Sequence, residues 1–186
     1  MKIIKTILIV IISLTAIIVL MLFNYGWFTN VGVQLKEEGG EKLVYESRMG
    51  SYDKSGDVIH KLENQLKNEN IKAVKGFGWY LDNPRFVKKD SLRSEVGCML
   101  ESVDTSKISG LKGKYNIKTC PVKKYITAEF PYKSNVSIIL GVLKVYPAMM
   151  KFVKDNNYDE KGAIMEIYDI SNNRILYRKE AVKIEK

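Results

Sequence analysis

KAVKGFGWYLDNPRFVKKDSLRSEVGCMLE, residues Lys72–Glu101, reads as two strands joined by an Asp82-Asn83-Pro84 turn and a short connector. Val74, Gly76, Gly78 and Tyr80 alternate with Lys75, Phe77, Trp79 and Leu81, the period of a strand whose two faces differ. Glycine at two successive same-face positions weakens a strand unless something must approach that face closely. One face therefore carries Phe77 and Trp79 for packing, and the other is bare backbone ending in Tyr80. That bare face is the candidate wall of a binding concavity.

Upstream, Lys42–Met49 has the length of a strand. Asp53 or Ser55 is placed to cap a helix running through Asn68, with Val58, Ile59, Leu62 and Leu66 along one stripe. Downstream, Ile108–Thr119 is a polar connector leading to an edge strand, and Val122–Phe130 is a further strand. Ser134 or Asn135 opens a second helix with Ile138, Ile139, Val142, Leu143 and Tyr146 as its apolar face, ended or kinked by Pro147. Ala163–Ile170 and Arg174–Val182 then form a hairpin about Ser171-Asn172-Asn173.

Set side by side, the halves repeat. Tyr45–Tyr52 (YESRMGSY) matches Tyr125–Tyr132 (YITAEFPY), and Lys75–Asn83 (KGFGWYLDN) matches Ala163–Ser171 (AIMEIYDIS). Two strand–helix–strand–strand units imply an α+β domain with a pseudo-two-fold axis, mainly antiparallel sheet, and helices on one face. In this alignment Tyr80 corresponds to Tyr168 and Gly78 to Glu166. Alternation puts Glu166 on one face with Ile164 and Tyr168, so a carboxylate points into the space that Gly76 and Gly78 leave open. Buried without a partner, such a group costs several kcal/mol or takes up a proton. A cationic ligand, a proton-transfer role, or an ion pair with Arg93, Arg48 or a lysine would each supply the partner.

The motif G-x-G-x-Y-x-D-x-P followed by R-x-x-V-G (Gly76, Gly78, Tyr80, Asp82, Pro84, then Arg93, Val96, Gly97) resembles the GyrI-like domain, the effector-binding domain of bacterial transcription activators. The resemblance implies the same pseudo-symmetric fold. It also implies a central pocket whose glutamate, within an E-x-Y strand motif matched by Glu166-Ile167-Tyr168, faces cationic or aromatic ligands. Some members are reported to hydrolyse strained rings with this glutamate. Phe130-Pro131-Tyr132, Leu140-Gly141 and Lys144–Ala148 resemble a membrane-anchored branch of the family that includes a testis-expressed ER-phagy receptor. The receptor role of that relative rests on a long acidic tail, and is not expected to transfer to a chain that stops at Lys186.

Ile7–Phe23 is an uncharged apolar run followed by Tyr25, Trp27 and Phe28 as an interfacial aromatic belt. No small-x-small cleavage site follows it, which favours a retained single-pass anchor over a signal peptide. Residues 1–28 are thus expected as the anchor, 29–41 as a juxtamembrane spacer with Gly39-Gly40 as a flexible joint, and 42–186 as the ligand-binding domain. Lys2 and Lys5 lean the orientation toward an extracytoplasmic domain. The net charge of +9 falls to +7 without those two lysines, has no long basic block, and comes with no nucleic-acid motif. His60, the single histidine, is expected in solvent; it excludes multi-histidine metal sites and disfavours a Ser-His-Asp triad. No cofactor is expected. Cys98 and Cys120 read either as a disulfide or as buried thiols.

The candidate ligand-binding residues are therefore Glu166, Tyr168, Tyr80, Gly78 and Gly76. The primary reading is a membrane-anchored module binding a small cationic or aromatic molecule between its repeats. The alternatives are a hydrolase using Glu166 and a tethered scaffold with a vestigial pocket. A cavity lined by Glu166, Tyr80 and Tyr168 favours the first two, and a plugged one favours the scaffold.

Overall fold

The computed structural model describes residues 2–100, 110–111 and 113–184. An N-terminal helix α1 (Lys2–Asn24) precedes strands β1 (Val33–Glu38) and β2 (Lys42–Met49), helix α2 (Ser55–Asn68), and strands β3 (Ala73–Tyr80) and β4 (Arg93–Leu100). The second half follows as β5 (Asn116–Thr119), β6 (Lys123–Pro131), helix α3 (Asn135–Asp155), β7 (Ile164–Asp169) and β8 (Arg174–Glu180). Part of the expected polar connector lies outside the described residues; β5 is the edge strand at its end. All eight strands form one sheet in the order β1-β6-β8-β7-β3-β4-β2-β5, with every pair antiparallel.

The pseudo-two-fold axis runs between β3 and β7. Residues related by such an axis must face each other where it passes, and Gly78 pairs directly with Glu166, the residue to which it aligns. Gly76↔Tyr168 and Tyr80↔Ile164 flank that pair symmetrically. Each repeat also gains one outer strand, β5 on β2 and β1 on β6.

Chain length dictates the curvature of the sheet. Six strand spacings separate β1 from β2, about 29 Å across a flat sheet. The three-residue link Gly39–Glu41 spans at most about 15 Å, and Cys120–Val122 joins β5 to β6 equally briefly. The sheet must therefore curl until these ends approach. The two links bond to each other there, Gly40 N–H to Cys120 O at 2.8 Å and Cys120 N–H to Glu41 O at 2.8 Å. Gly39, expected as part of a flexible joint, instead has φ +120°, and a Cβ on it would lie 2.1 Å from Pro121 O, so the crossing admits only glycine. The stretch expected as a spacer also contributes β1, because its backbone completes the edge of β6. Arg178, buried on the inner side of the curl, holds both Glu38 and Glu41.

Inside the curl Leu43, Phe77, Met99, Met165 and Ile167 form one core, with Trp79 packed against it as expected. The helices cover the opposite face. Under α2 lie Val44, Val96, Cys98 and Leu100; under α3 lie Ile126, Ala128, Phe130, Ile175 and Tyr177. Cys98 and Cys120 thus belong to cores on opposite faces and are free thiols, that of Cys98 pushed up to about 12 by burial.

Local capping differs in detail from expectation. Lys54, not Asp53 or Ser55, occupies the N-cap of α2, and Ser55 Oγ donates back to Tyr52 O at 2.8 Å. His60 is exposed as expected. Ser134 caps α3 in a reciprocal box with Ser137, and the helix runs unbroken through Pro147. The buried stripe of α3 is Ser137, Gly141, Val145, Met149 and Val153, not the expected bulkier one. Ile139 and Leu143 instead face outward. Small residues face the sheet because Tyr177 and Phe130 rise from it: a Cβ on Gly141 would sit 2.2 Å from the Tyr177 hydroxyl. By length and hydropathy α3 joins α1 in being able to cross a membrane. Its stripe is nevertheless committed to the sheet.

α1 buries none of its residues and has a mean hydropathy of 3.0 over its most apolar stretch, which suits a membrane span and also a signal sequence. It ends in a Schellman motif, with Trp27 N–H bonded to Leu22 O at 2.9 Å, Gly26 N–H to Phe23 O at 3.2 Å, and Gly26 at φ +78°.

Candidate functional site

Alternation along β7 and β8 raises Glu166, Tyr168 and Tyr177 on the helix-bearing face, and β3 raises Tyr80 beside them. Glu166 is 2% exposed. Its Oε1 accepts from the Tyr146 hydroxyl of α3 at 2.9 Å and its Oε2 from the Tyr168 hydroxyl at 2.8 Å. Tyr168 spends its proton on this carboxylate, so Tyr80 is the donor in the 3.1 Å contact between their hydroxyls. The Tyr52 ring packs on Tyr80 with centroids 4.6 Å apart, and its hydroxyl donates to Asp82 O at 2.9 Å. The result is a carboxylate beneath a tier of half-buried tyrosines.

None of the cations expected as ion-pair partners reaches it. Arg93 clamps Asp82 through Nε at 2.9 Å and Nη2 at 2.8 Å, while Lys75 pairs with Asp169 at 3.3 Å. Among the described residues Glu166 has no salt bridge. Burial consequently pushes its pKa up, although the Tyr168 and Tyr146 hydrogen bonds pull the other way. The same burial, added to the nearby Glu166 charge, pushes Tyr80 up to about 12 and Tyr146 and Tyr168 well above the ordinary tyrosine value.

The five expected residues converge, but their space is filled. Gly76 lies under Ile59 of α2, whose Cγ2 would be 2.7 Å from an added Cβ. Gly78 lies under the ring of Tyr80, with the hydroxyl 2.5 Å from the same imagined atom. The glycines make room for side chains of this protein, and Tyr80 folds back along its own strand as a cover. Two shallow hollows lie instead at the β1–β6 edge, lined by Asn30, Glu129 and their neighbours, and hold none of the five residues.

Asp82 and Arg93, prominent in the motif, close the β3–β4 loop; Asp82 also accepts from Arg93 N–H at 2.8 Å. This ion pair holds the Asp82 carboxyl below its ordinary value. Tyr146 and Tyr177 complete the tier and were not singled out as site residues by sequence reasoning. The available signal for Tyr146 was a hydroxyl at the end of an otherwise aliphatic stripe, Ile138, Ile139, Val142 and Leu143. Tyr177 is fully buried, its hydroxyl has no hydrogen-bond partner among the described residues, and its ring meets Tyr146 edge-on at 6.0 Å. Of the other tyrosines, Tyr52 reaches the site, whereas Tyr45 and Tyr125 pack inside the curl and Tyr132 packs beside α3.

No protein-family model matches the chain. Testis-expressed protein 264 of Homo sapiens is 25% identical over 155 residues, covering 77% of this chain and 48% of that protein. Its Mus musculus homolog is 26% identical over 119 residues, covering 61% and 37%. The chain thus matches half or less of the length of these relatives. Among solved structures, EcmrR in its DNA complex aligns with a TM-score of 0.60 at 16% identity, over 97% of this chain and 69% of that one. The EcmrR C-terminal domain aligns at 0.54 and 13% identity, over 83% and 99%. SAV2435 bound to tetraphenylphosphonium aligns at 0.50 and 15% identity, over 82% and 94%. At such identities the likeness is one of fold: the chain has the α+β arrangement that its repeats imply and the GyrI-like fold that the motif resemblance implies.

Proposed function

We propose that the chain is a membrane-anchored module that binds a lipophilic or aromatic cation, with Glu166 as its counter-charge. The observation that carries this reading is a carboxylate 2% exposed, held by tyrosine hydroxyls alone, with no protein cation beside it among the described residues. A cation over that carboxylate would regain much of the lost solvation, and stacked tyrosine rings add a favourable face. Entry requires Tyr80 to swing off Gly78, breaking its hydrogen bond to Tyr168. The solved neighbour bound to tetraphenylphosphonium supports this ligand class.

Closure of the site supports a second reading, a tethered scaffold whose pocket is vestigial. Titrating the detergent-solubilised full chain with tetraphenylphosphonium by calorimetry separates the two. Saturable binding supports the module; heat indistinguishable from that of micelles alone leaves the scaffold. Gly78→Ala tests the route of entry. Its methyl must drive the Tyr80 ring from its present place, so the Tyr80–Tyr168 bond is lost and cation affinity changes while the domain still folds. Unchanged affinity with normal circular dichroism would place the ligand elsewhere.

Retention of α1 as an anchor is supported by its length, its apolar surface and its fixed junction with the sheet. Intact mass measurement of protein from membranes is expected to include residues 1–28, and alkaline carbonate is expected to leave the chain in the membrane pellet. A mature chain lacking those residues would identify α1 as a cleaved signal.

A further inference from the structure

The outward face of α3 changes character along its length. Val136, Ile139 and Leu143 are 42%, 63% and 59% exposed, and their spacing of three and four residues places them on one stripe. Pro147 continues it, exposed, one turn later. Farther on, the same side of the helix bears exposed Lys151 and Lys154. The bulky apolar half is the half beside α1. Lys133 Nζ donates to Asn24 Oδ1 at 2.9 Å, and Ser134 Oγ donates to the Tyr25 hydroxyl at 3.4 Å. Lys144 Nζ reaches both Trp27 O and Thr29 O. Gly26 lies against Pro131, with Pro131 Cγ 2.5 Å from where a Cβ would be. The end of α1 is therefore seated on the start of α3 through several separate contacts and a Schellman turn, and the two are not joined by a loose tether.

We propose that the first half of α3 rests in the interface of the membrane that α1 crosses, with Val136, Ile139 and Leu143 entering the lipid. This inference rests on the anchor reading of α1. Its occupant follows from position: the apolar stripe begins within one helical turn of the residues that hold the end of the anchor, and Phe28, beside the Trp27 that Lys144 contacts, is also exposed. Geometry sets a condition on the helix. Leu143 lies about 14 Å along α3 from Ser134, whereas the headgroup zone is roughly 5–8 Å deep on each side. For all three side chains to touch lipid while the lysine-bearing end stays in water, α3 must slope at a shallow angle to the membrane plane, its first half entering the interface and Lys151 and Lys154 rising out of it. This turns the tyrosine-covered carboxylate to a fixed aspect of the bilayer. A lipophilic cation concentrated in the interface would then arrive beside the site.

The test uses the full chain, reconstituted in phosphatidylcholine vesicles, with single spin labels on Ile11→Cys, Ile139→Cys, Leu143→Cys or Lys154→Cys. The buried native thiols serve as the unlabelled background, checked by treating the unsubstituted chain. Collision with oxygen should exceed collision with a water-soluble nickel chelate at Ile11, Ile139 and Leu143, and the order should reverse at Lys154. Water-like labels at Ile139 and Leu143 beside a lipid-like label at Ile11 overturn the inference and leave the anchor intact. A water-like label at Ile11 overturns the anchor reading, and this inference with it. Labels at Ile139 and Leu143 shielded from both reagents, with spin–spin broadening, would show a second copy on this face, and would equally overturn lipid contact.

Discussion

Glu166→Gln is expected to weaken tetraphenylphosphonium binding by roughly 1.5–3 kcal/mol, the attraction of two unit charges about 6–11 Å apart at an effective dielectric constant of about 20, which is roughly a 10- to 150-fold rise in Kd. The substitution keeps the shape of the side chain and both tyrosine contacts, since the amide accepts from one hydroxyl and donates to the other. Stability is expected to move the opposite way. The folded-state pKa of Glu166 is raised, so the native state holds this proton more firmly than the unfolded chain does. The stabilising contribution is complete below the unfolded value of about 4.3 and is lost as pH rises through the folded value. Above that folded value the wild type therefore carries a desolvated charge that the glutamine variant lacks. The variant should melt at an equal or higher temperature at pH 7, and the gap should close on acidification. Lower melting temperature with unchanged cation affinity would show a structural carboxylate and end the binding proposal. Were the site catalytic, the same variant would abolish conversion of excess substrate without necessarily abolishing binding.

Gly97→Ala is expected to destabilise the domain by about 3 kcal/mol, at or beyond the upper end of the usual overpacking range. Gly97 pairs with Tyr45 on β2 and Phe77 on β3, and a Cβ there would lie 2.0 Å from Val44 O and 2.8 Å from Tyr45 Cα. These are backbone atoms in the middle of a sheet and cannot rotate away. Gly56, at the start of α2, has nothing within 4 Å of the corresponding position, so Gly56→Ala is the control, expected to gain up to about 1 kcal/mol through helix propensity. Thermal melts of the two variants in the same detergent check the contrast. Similar midpoints would mean that the β2–β4 register differs from the one described. The final glycine of the R-x-x-V-G motif is thus explained by strand approach, and needs no ligand.

These cases separate what local pattern carries from what it does not. The alternation Gly76, Gly78, Tyr80 and the match of Gly78 to Glu166 follow from a two-residue period that covalent geometry imposes on any strand. They sufficed to put the carboxylate on one face with Tyr168, over the space that Gly76 and Gly78 leave; that this face carries the helices, and that Gly78 pairs directly with Glu166, came from the assembled sheet. The order strand–helix–strand–strand, twice, was legible for the same reason, as was the exposed apolar run that became α1. The filling of the space above the glycines was not legible, because Ile59 arrives from another element and the Tyr80 ring chooses its rotamer only once its neighbours are in place.

The sharpest division falls on α3. Its sequence is apolar on more than one side, so helical periodicity marks several eligible faces and ranks the bulkiest first. The sheet ranked them differently: Tyr177 and Phe130 occupy the volume that large side chains would need, so Ser137 and Gly141 turn inward and Ile139 and Leu143 turn out. β1 is a similar case, since the alternation Val33, Gln34, Leu35, Lys36 lasts only four residues before two glutamates, and the strand gains its place because β6 offers an unpaired edge. By itself the sequence determined the repeat, the N-terminal apolar helix and the face on which Glu166 lies, all consequences of spacing along one chain. Only the tertiary structure decided which face of α3 is buried, how the sheet curls and what covers the carboxylate, because each depends on volume contributed by residues far away in sequence.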